Sequence, residues 1–306
     1  MSKLKLKLLD KSLTTCQVSG NTIMYRDTPA GHLFPPPLTT SKYEFEWDWN
    51  VSNSEDLVFY TDFFIQSPNP SHLRKVAWLI EPPCKQPHNY NWISKNNRLY
   101  DYVLTFDETL LARGENFVFY PYGGCWIESE NRTTEHKKSK CVSIITSGKK
   151  KVLGHLIRHD LIKKFGSQID VMGMGYNPIS AISTGLKEYM FHIAMENESR
   201  NFYFTEKIIN PIMTGTVPIY YGMPSIGKYF DVRGMILFNT VDEVGEILNG
   251  LSESKYKELL PYVKENFKVA QKYILAEDYF LPIIINKLNH EHKLHRNKKT
   301  RFITFN

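Results

Sequence analysis

The sequence predicts an α/β protein made of two doubly wound, largely parallel-sheet units that face each other across a cleft. Three observations lead there. The chain has 306 residues, a length that suits two domains of about 150 residues each. From Cys141 onward, short apolar runs alternate with amphipathic helical ones, the pattern of parallel strands joined by crossover helices. Between the halves, residues 127–140 (IESENRTTEHKKSK) are polar and aperiodic, and read as a linker. The division predicted is 1–135 and 136–306.

In the first unit, KLKLKLL (3–9) alternates Lys and Leu and predicts a strand with one wet face. A polar, Pro-rich stretch around residues 32–37 follows. Strands are predicted at 57–60, 75–80, 101–106 and 117–121. Asp107 to Arg113 reads as a helix that Asp107 can cap by accepting from its first-turn amides. In the second unit, 141–146 is a strand. Residues 153–165 form a helix with Leu153, Leu156, Ile157, Leu161, Ile162 and Phe165 at 3-4 spacing. Strands at 169–172 and 189–195 come next, then a helix from Glu206, a buried strand at 217–221, a strand at 235–239, and helices over 243–251, 253–274 and 277–290. Pro211 falls at about the sixth position of the helix at 206 and costs ~3 kcal/mol in a regular helix, which predicts a kink or an irregular first turn.

With 42% hydrophobic and 23% charged residues, the composition is that of a water-soluble globular chain. No run approaches the ~20 apolar residues of a membrane span, and the alternating start is no secretory signal, so a cytoplasmic location is expected. The cysteines Cys16, Cys84, Cys125 and Cys141 are widely spaced, without a CxxC pair or a Cys/His metal spacing, which fits a reducing compartment. The sequons at Asn50, Asn131 and Asn197 are then chance matches. The net charge of +6 favours an anionic ligand only if it is concentrated in a patch. The densest basic run, 293–302 (KLHRNKKTRF), reads as a solvated tail before any nucleic-acid or membrane attraction.

Ligands of open parallel sheets sit outside the carboxyl ends of the strands. Candidate residues there begin with TEK at 205–207. Thr205 can cap the helix, whose positive end with Lys207 suits a phosphate, while Glu206 can serve the dipole or accept from a hydroxyl. Arg158, midway along the helix 153–165, is either a surface arginine or a paired donor to a diphosphate. Lys149, Lys150 and Lys151 read as a solvated loop. Glu81 follows an apolar strand and precedes two prolines, so it is either an exposed turn residue or a general base at the cleft. Other motifs fail: Gly173-x-Gly175 has Pro178 where a third glycine is needed, and no GxxxxGK[ST], HExxH, GxSxG or Asp-x-Asp occurs.

The run 191–230 (FHIAMENESRNFYFTEKIINPIMTGTVPIYYGMPSIGKYF) resembles the donor-binding signature of the family-10 glycosyltransferases, the α1,3/4-fucosyltransferases. Glu196-Asn197, Tyr203-Phe204-Thr205-Glu206-Lys207 and Gly215-Thr216-Val217-Pro218-Ile219 stand at the matching places. VAWLIEPP followed by YDYVLTFDE is similar to the acceptor-side segment, with Glu-Pro-Pro for the usual Glu-Ser-Pro. FYPYGG (119–124) resembles the family's Pro-Tyr-Gly.

The resemblance implies a GT-B fold of two Rossmann-like domains, with the donor GDP-fucose in the second and a glycan acceptor in the first. It implies fucosyl transfer with inversion, α1,3-linked, and Glu81 as catalytic base. Arg158, Glu196, Asn197, Tyr203, Glu206 and Lys207 are the donor-binding residues it implies. No cofactor or metal would be required, with a divalent cation at most stimulatory, and no nucleic-acid partner is implied. Two alternatives stay open on the residues alone: another GDP- or UDP-sugar in the same fold, or a glycan-binding protein without catalysis.

Overall fold

The structure is a computed structural model that describes residues 57–301 continuously and, before them, the strands β1 (Leu4–Leu9), β2 (Gln17–Ser19), β3 (Thr22–Met24), β4 (Leu38–Thr39) and β5 (Glu44–Asp48). Side chains are described for 6–9, 57–61 and 64–290. Cys16, the Pro-rich stretch 32–37, Asn50 and the side chains of the basic run 293–302 lie outside the described residues.

The first sheet continues with β6 (Leu57–Tyr60), β7 (Arg74–Trp78), β8 (Tyr102–Thr105) and β9 (Phe117–Phe119), in the order β4-β5-β1-β6-β7-β8-β9. Every pairing is parallel except β4 with β5. β2 and β3 form a separate antiparallel pair. The expected wet face of β1 is corrected: Lys7 is buried along with Leu6 and Leu8, as fits an inner strand of a parallel sheet covered on both faces. The helix α1 (Pro87–Asn96) has no counterpart in the sequence expectation. Its weak apolar period hides it, although Pro87 at the first position is a helix-start signal. The helix expected at 107–113 is α2 (Glu108–Leu111), and Asp107 caps it through the Leu110 amide at 2.9 Å.

The second sheet is wholly parallel. Its strands are β10 (Lys140–Ile145), β11 (Asp170–Met172), β12 (Tyr189–Met195), β13 (Val217–Tyr221) and β14 (Ile236–Leu237), in the order β11-β10-β12-β13-β14. The helices are α3 (Leu153–Phe165), α4 (Glu206–Met213), α5 (Val241–Asn249), α6 (Glu253–Ala270) and α7 (Ala276–Arg301). The strand order reverses between β10 and β12, so a crevice opens outside their carboxyl ends.

α4 keeps its helical path through Pro211. The irregularity expected of its first turn is present, because the Ile208 amide bonds the Thr205 carbonyl three residues back, at 3.3 Å. Ile208, Ile209 and Ile212 are fully buried, and at ~1.5–3 kcal/mol each their burial outweighs the ~3 kcal/mol a helical proline costs.

Two findings modify the expected division. The segment 127–140 is aperiodic but not free: Ile127 is buried, and the Lys138 ammonium donates to the carbonyls of Lys187 and Thr214 and to the Thr216 hydroxyl, at 2.8–3.1 Å. The last helix, grouped by sequence with the second unit, packs into the first sheet's core. Phe280, Leu281 and Ile284 are fully buried there, with the Phe280 ring 4.9 Å from Trp78. The backbone of α7 runs to Arg301, so most of the run read as a solvated tail is helical.

The units also meet directly. The Gly123 amide donates to the Phe204 carbonyl (3.1 Å), and the Gly124 amide to the Tyr273 carbonyl (2.7 Å). Only glycine fits at 123: φ is +55°, and a Cβ would lie 2.6 Å from the Tyr273 oxygen.

Candidate active site

The site grows from the crevice between β10 and β12. β12 is apolar apart from His192 and is followed at once by Glu196, which is 0% exposed. A carboxylate so placed needs donors. The Thr205 amide donates to its Oε1 at 2.8 Å and the Thr205 hydroxyl to its Oε2 at 2.7 Å. The Lys207 ammonium lies 3.7 Å from Glu196 and 2.9 Å from the buried Glu206. Thr205 does cap α4, accepting from the Lys207 amide at 3.3 Å. A buried carboxylate, Glu196, therefore stands behind the capping residue at the mouth of α4, which sequence reasoning read as a phosphate site.

Burial is the largest influence on Glu196 and raises its carboxyl above the usual range; Lys207 pulls it down and Glu206 adds to the rise. Burial opposes the charge on Lys207, but Glu206 and Glu196 outweigh it and hold the ammonium above its ordinary value. Lys207 thus answers two carboxylates at once, with a quarter of its side chain open to solvent.

Arg158 is buried, which excludes the surface reading. Its Nη2 donates to the Met195 carbonyl at 2.8 Å, so the guanidinium sits behind the end of β12. One turn before it on α3, His155 is buried and accepts from the Lys151 amide at 3.2 Å. Its pKa is pushed down to about 4 by burial, then by Arg158, Lys85, Lys149 and Lys207. These cations come from both units, Lys85 from the first and the other three from the second. Gly154 lets α3 approach closely, since a Cβ there would lie 2.5 Å from the Glu196 carbonyl oxygen and 2.6 Å from that of Asn197. Asn197 itself is buried, with its carbonyl accepting from the Gly154 amide at 3.2 Å, which makes it a poor glycosylation acceptor.

Across the crevice, Glu81 stands three residues beyond β7, its side chain a third exposed and paired with Lys85 one turn on. The Tyr90 hydroxyl holds the Glu81 carbonyl at 2.9 Å. Tyr203 is 1% exposed, and its ring lies 5.0 Å from Phe106 and 6.4 Å from Tyr122 of the first unit. Burial lifts the Tyr203 and Tyr122 phenols well above their usual range, and the carboxylates Glu81, Glu196 and Glu206 add to both shifts. Both phenols are therefore protonated donors at neutral pH. Of the seven sequence-derived residues, Arg158, Glu196, Asn197, Glu206 and Lys207 gather about the end of β12 and the start of α4, Tyr203 packs against the first unit, and Glu81 stands beyond the end of β7. Lys149, Lys150 and Lys151 are exposed, as expected.

Sequence reasoning missed His155, Lys85, Tyr122, Glu198 and Arg200. His155 was findable, three residues before Arg158 and hence on the same helical face. Arg200 sits in a non-periodic loop with no signal of its own. Chemically, the crevice offers a cationic rim for a diphosphate, buried carboxylates that can accept from hydroxyls, and one exposed carboxylate opposite.

A model of glycosyltransferase family 10 (fucosyltransferase), C-terminal part, matches residues 130–300, more than half of the chain. The chain belongs to this family. It is 30% identical over 124 residues to alpha-(1,3)-fucosyltransferase B of Drosophila melanogaster, covering 36% of this chain and 28% of that protein. It is 42% identical over 57 residues to GDP-fucose protein O-fucosyltransferase 3 of Bos taurus, covering 17% of this chain and 12% of that protein. The chain thus spans less than half the length of the first curated relatives it matches. Its architecture is similar to the crystal structure of TarM, with a TM-score of 0.50 and 11% identity over 78% of this chain and 55% of that one. The family-10 chain has the GT-B fold, with two Rossmann-like units. Among the described residues, no helix is long and apolar enough to cross a membrane.

Proposed function

We propose that this family-10 chain transfers fucose from GDP-fucose, with inversion and in α1,3 linkage, to a hydroxyl of a glycan acceptor. The observation that carries the reading is the Glu196–Thr205–Lys207 cluster with Arg158 at the end of β12, to which the turn that carries the partly exposed Glu81 is joined by the Cys84 amide on Glu198 Oε2 at 3.4 Å. Donor binding is assigned to Arg158, Glu196, Asn197, Tyr203, Glu206 and Lys207 on the 136–306 side, with the acceptor on the 1–135 side.

Inversion needs a single attack on the sugar carbon from the face opposite the diphosphate. Glu81 takes the acceptor proton as the new C–O bond forms and the bond to the β-phosphate breaks. The departing diphosphate gains charge, which Lys207 and Arg158 stabilise from prearranged positions. GDP leaves without a second carboxylic acid, unlike the alcohol leaving group of glycoside hydrolysis. No cofactor or metal is required in this reading, and turnover should survive a chelator. A cytoplasmic location belongs to the proposal; among the described residues, Cys84, Cys125 and Cys141 form no disulfide.

A second acceptor class, a serine or threonine hydroxyl of a protein, is favoured by one observation, the match to the bovine protein O-fucosyltransferase. The test is a panel of GDP- and UDP-sugars against glycan and peptide acceptors, with linkage analysis of any product. Fucose on a glycan O3 from GDP-fucose alone is the expected outcome. Turnover of a different sugar nucleotide would replace the donor. Glycan binding without turnover of any donor would overturn catalysis.

A further inference from the structure

The loop that leaves the donor-side crevice returns to touch the first unit. Arg200 Nη1 donates to Asp107 Oδ2 at 2.7 Å, while its Nη2 and Nε donate to Glu198 Oε1 at 3.1 and 3.2 Å. Asp107 stands just beyond β8, and its other oxygen caps α2. Glu198 follows Glu196 and Asn197 by two residues and one, and its Oε2 accepts from the Cys84 amide at 3.4 Å. Cys84 lies three residues after Glu81 in the same Pro-stiffened turn. One guanidinium therefore joins the ends of β8 and β12, and through Glu198 it reaches the turn that carries Glu81. The ion pairs are only partly open to water, with side-chain exposures of 26% for Arg200, 10% for Asp107 and 24% for Glu198, so screening weakens them less than a surface pair. Two residues on, Phe202 adopts φ of +60°, a conformation rare for a bulky side chain, with its ring 5.3 Å from Phe119 of the first unit. Such a conformation persists where the surroundings over-determine it.

We infer that Arg200 is a positioning residue: with Asp107 and Glu198 it forms a clasp across the crevice that sets the Glu81 turn against the donor-side cluster. The inference rests on the proposed role of Glu81 and adds to it how the base is held. The buried Tyr90 holds the Glu81 carbonyl, but the carboxylate itself is partly exposed and paired with Lys85, and small displacements of a base are costly to rate, so the clasp acts on turnover rather than on donor affinity.

The test uses Arg200→Ala, Arg200→Lys and Asp107→Asn in the full chain. Asp107→Asn retains an oxygen for the α2 cap and loses the charge, so it separates the clasp from folding. Arg200→Ala and Asp107→Asn should each lower kcat by about tenfold or more, while GDP affinity stays within about twofold. Arg200→Lys, which keeps the charge but not the fork, should fall between. Backbone amide exchange across 84–86 should accelerate in the same order. Two results would overturn the clasp: an unchanged kcat with unchanged exchange across 84–86 in Asp107→Asn, or GDP affinity falling in step with kcat, which would make Arg200 a donor ligand instead. A wild-type chain that turns over no sugar nucleotide defeats the functional reading, and the exchange measurement then still decides the clasp by itself.

Discussion

At the end of β12, Glu196 and Glu206 are buried at 0% and 3% exposure and locked by Thr205 and Lys207; at the end of β7, Glu81 is a third exposed and held by one lysine and a tyrosine hydroxyl on its carbonyl. The second-unit cluster is rigid because each polar atom there has to be answered inside the protein. The first-unit carboxylate is free to change partner and to exchange a proton with an incoming hydroxyl. A buried group is suited to hold charge in place, and an exposed one to move a proton.

The comparison can be broken most sharply at Glu81. Glu81→Gln should cut turnover by ~10²–10⁴-fold and leave both GDP affinity and thermal stability intact, because little depends on that side chain structurally. Steady-state kinetics with calorimetry checks it, and near-normal turnover would remove Glu81 from the role. Glu196→Ala should do the reverse and act on folding. It strands the Thr205 donors and one side of Lys207, at a cost of ~3–5 kcal/mol measured by denaturant unfolding. A loss below about 1 kcal/mol would mean that the cluster is less tightly built than its geometry implies.

Lys207→Ala lies between these. It should weaken GDP binding by ~1.5–3 kcal/mol, roughly 10- to 150-fold, and lower stability as well, since two buried carboxylates lose their cation. Unchanged GDP affinity would leave Lys207 a purely structural counter-ion.

At neutral pH the smallest effect is that of pH, which shows only on acidification. Burial first, then nearby Arg158, pushes His192 down to about 3, and His155 lies at about 4. Both bind protons in the unfolded chain before they do in the native one. Their stabilising contribution is therefore complete above about pH 6.5 and is lost as the pH falls toward 4 and then 3. Tm should drop across that window, and His192→Gln should flatten part of the drop. An identical slope in that variant would rule His192 out as a source.

Most of the second unit was legible from the sequence. Its strands and helices run in clean alternation, and the spacing from Glu196 to Lys207 pointed to one locus. The first unit was less legible. α1 has little apolar period, and Lys7 looked like a solvent-facing residue because alternation cannot show that both faces of a strand are covered. α7 was assigned by its place in the chain, yet its apolar face is covered by the other sheet.

Local pattern by itself determined most of the elements other than α1, the α/β class and the chemical types gathered near residues 196–207, because period, caps and charges are properties of neighbours along the chain. Only the tertiary structure decided what those charges do. It made Glu196 the internal anion of the α4 mouth, buried Arg158 behind β12, set Glu81 opposite and joined Arg200 to Asp107. Those outcomes depend on distance and desolvation between residues far apart in sequence, and a one-dimensional pattern carries neither quantity.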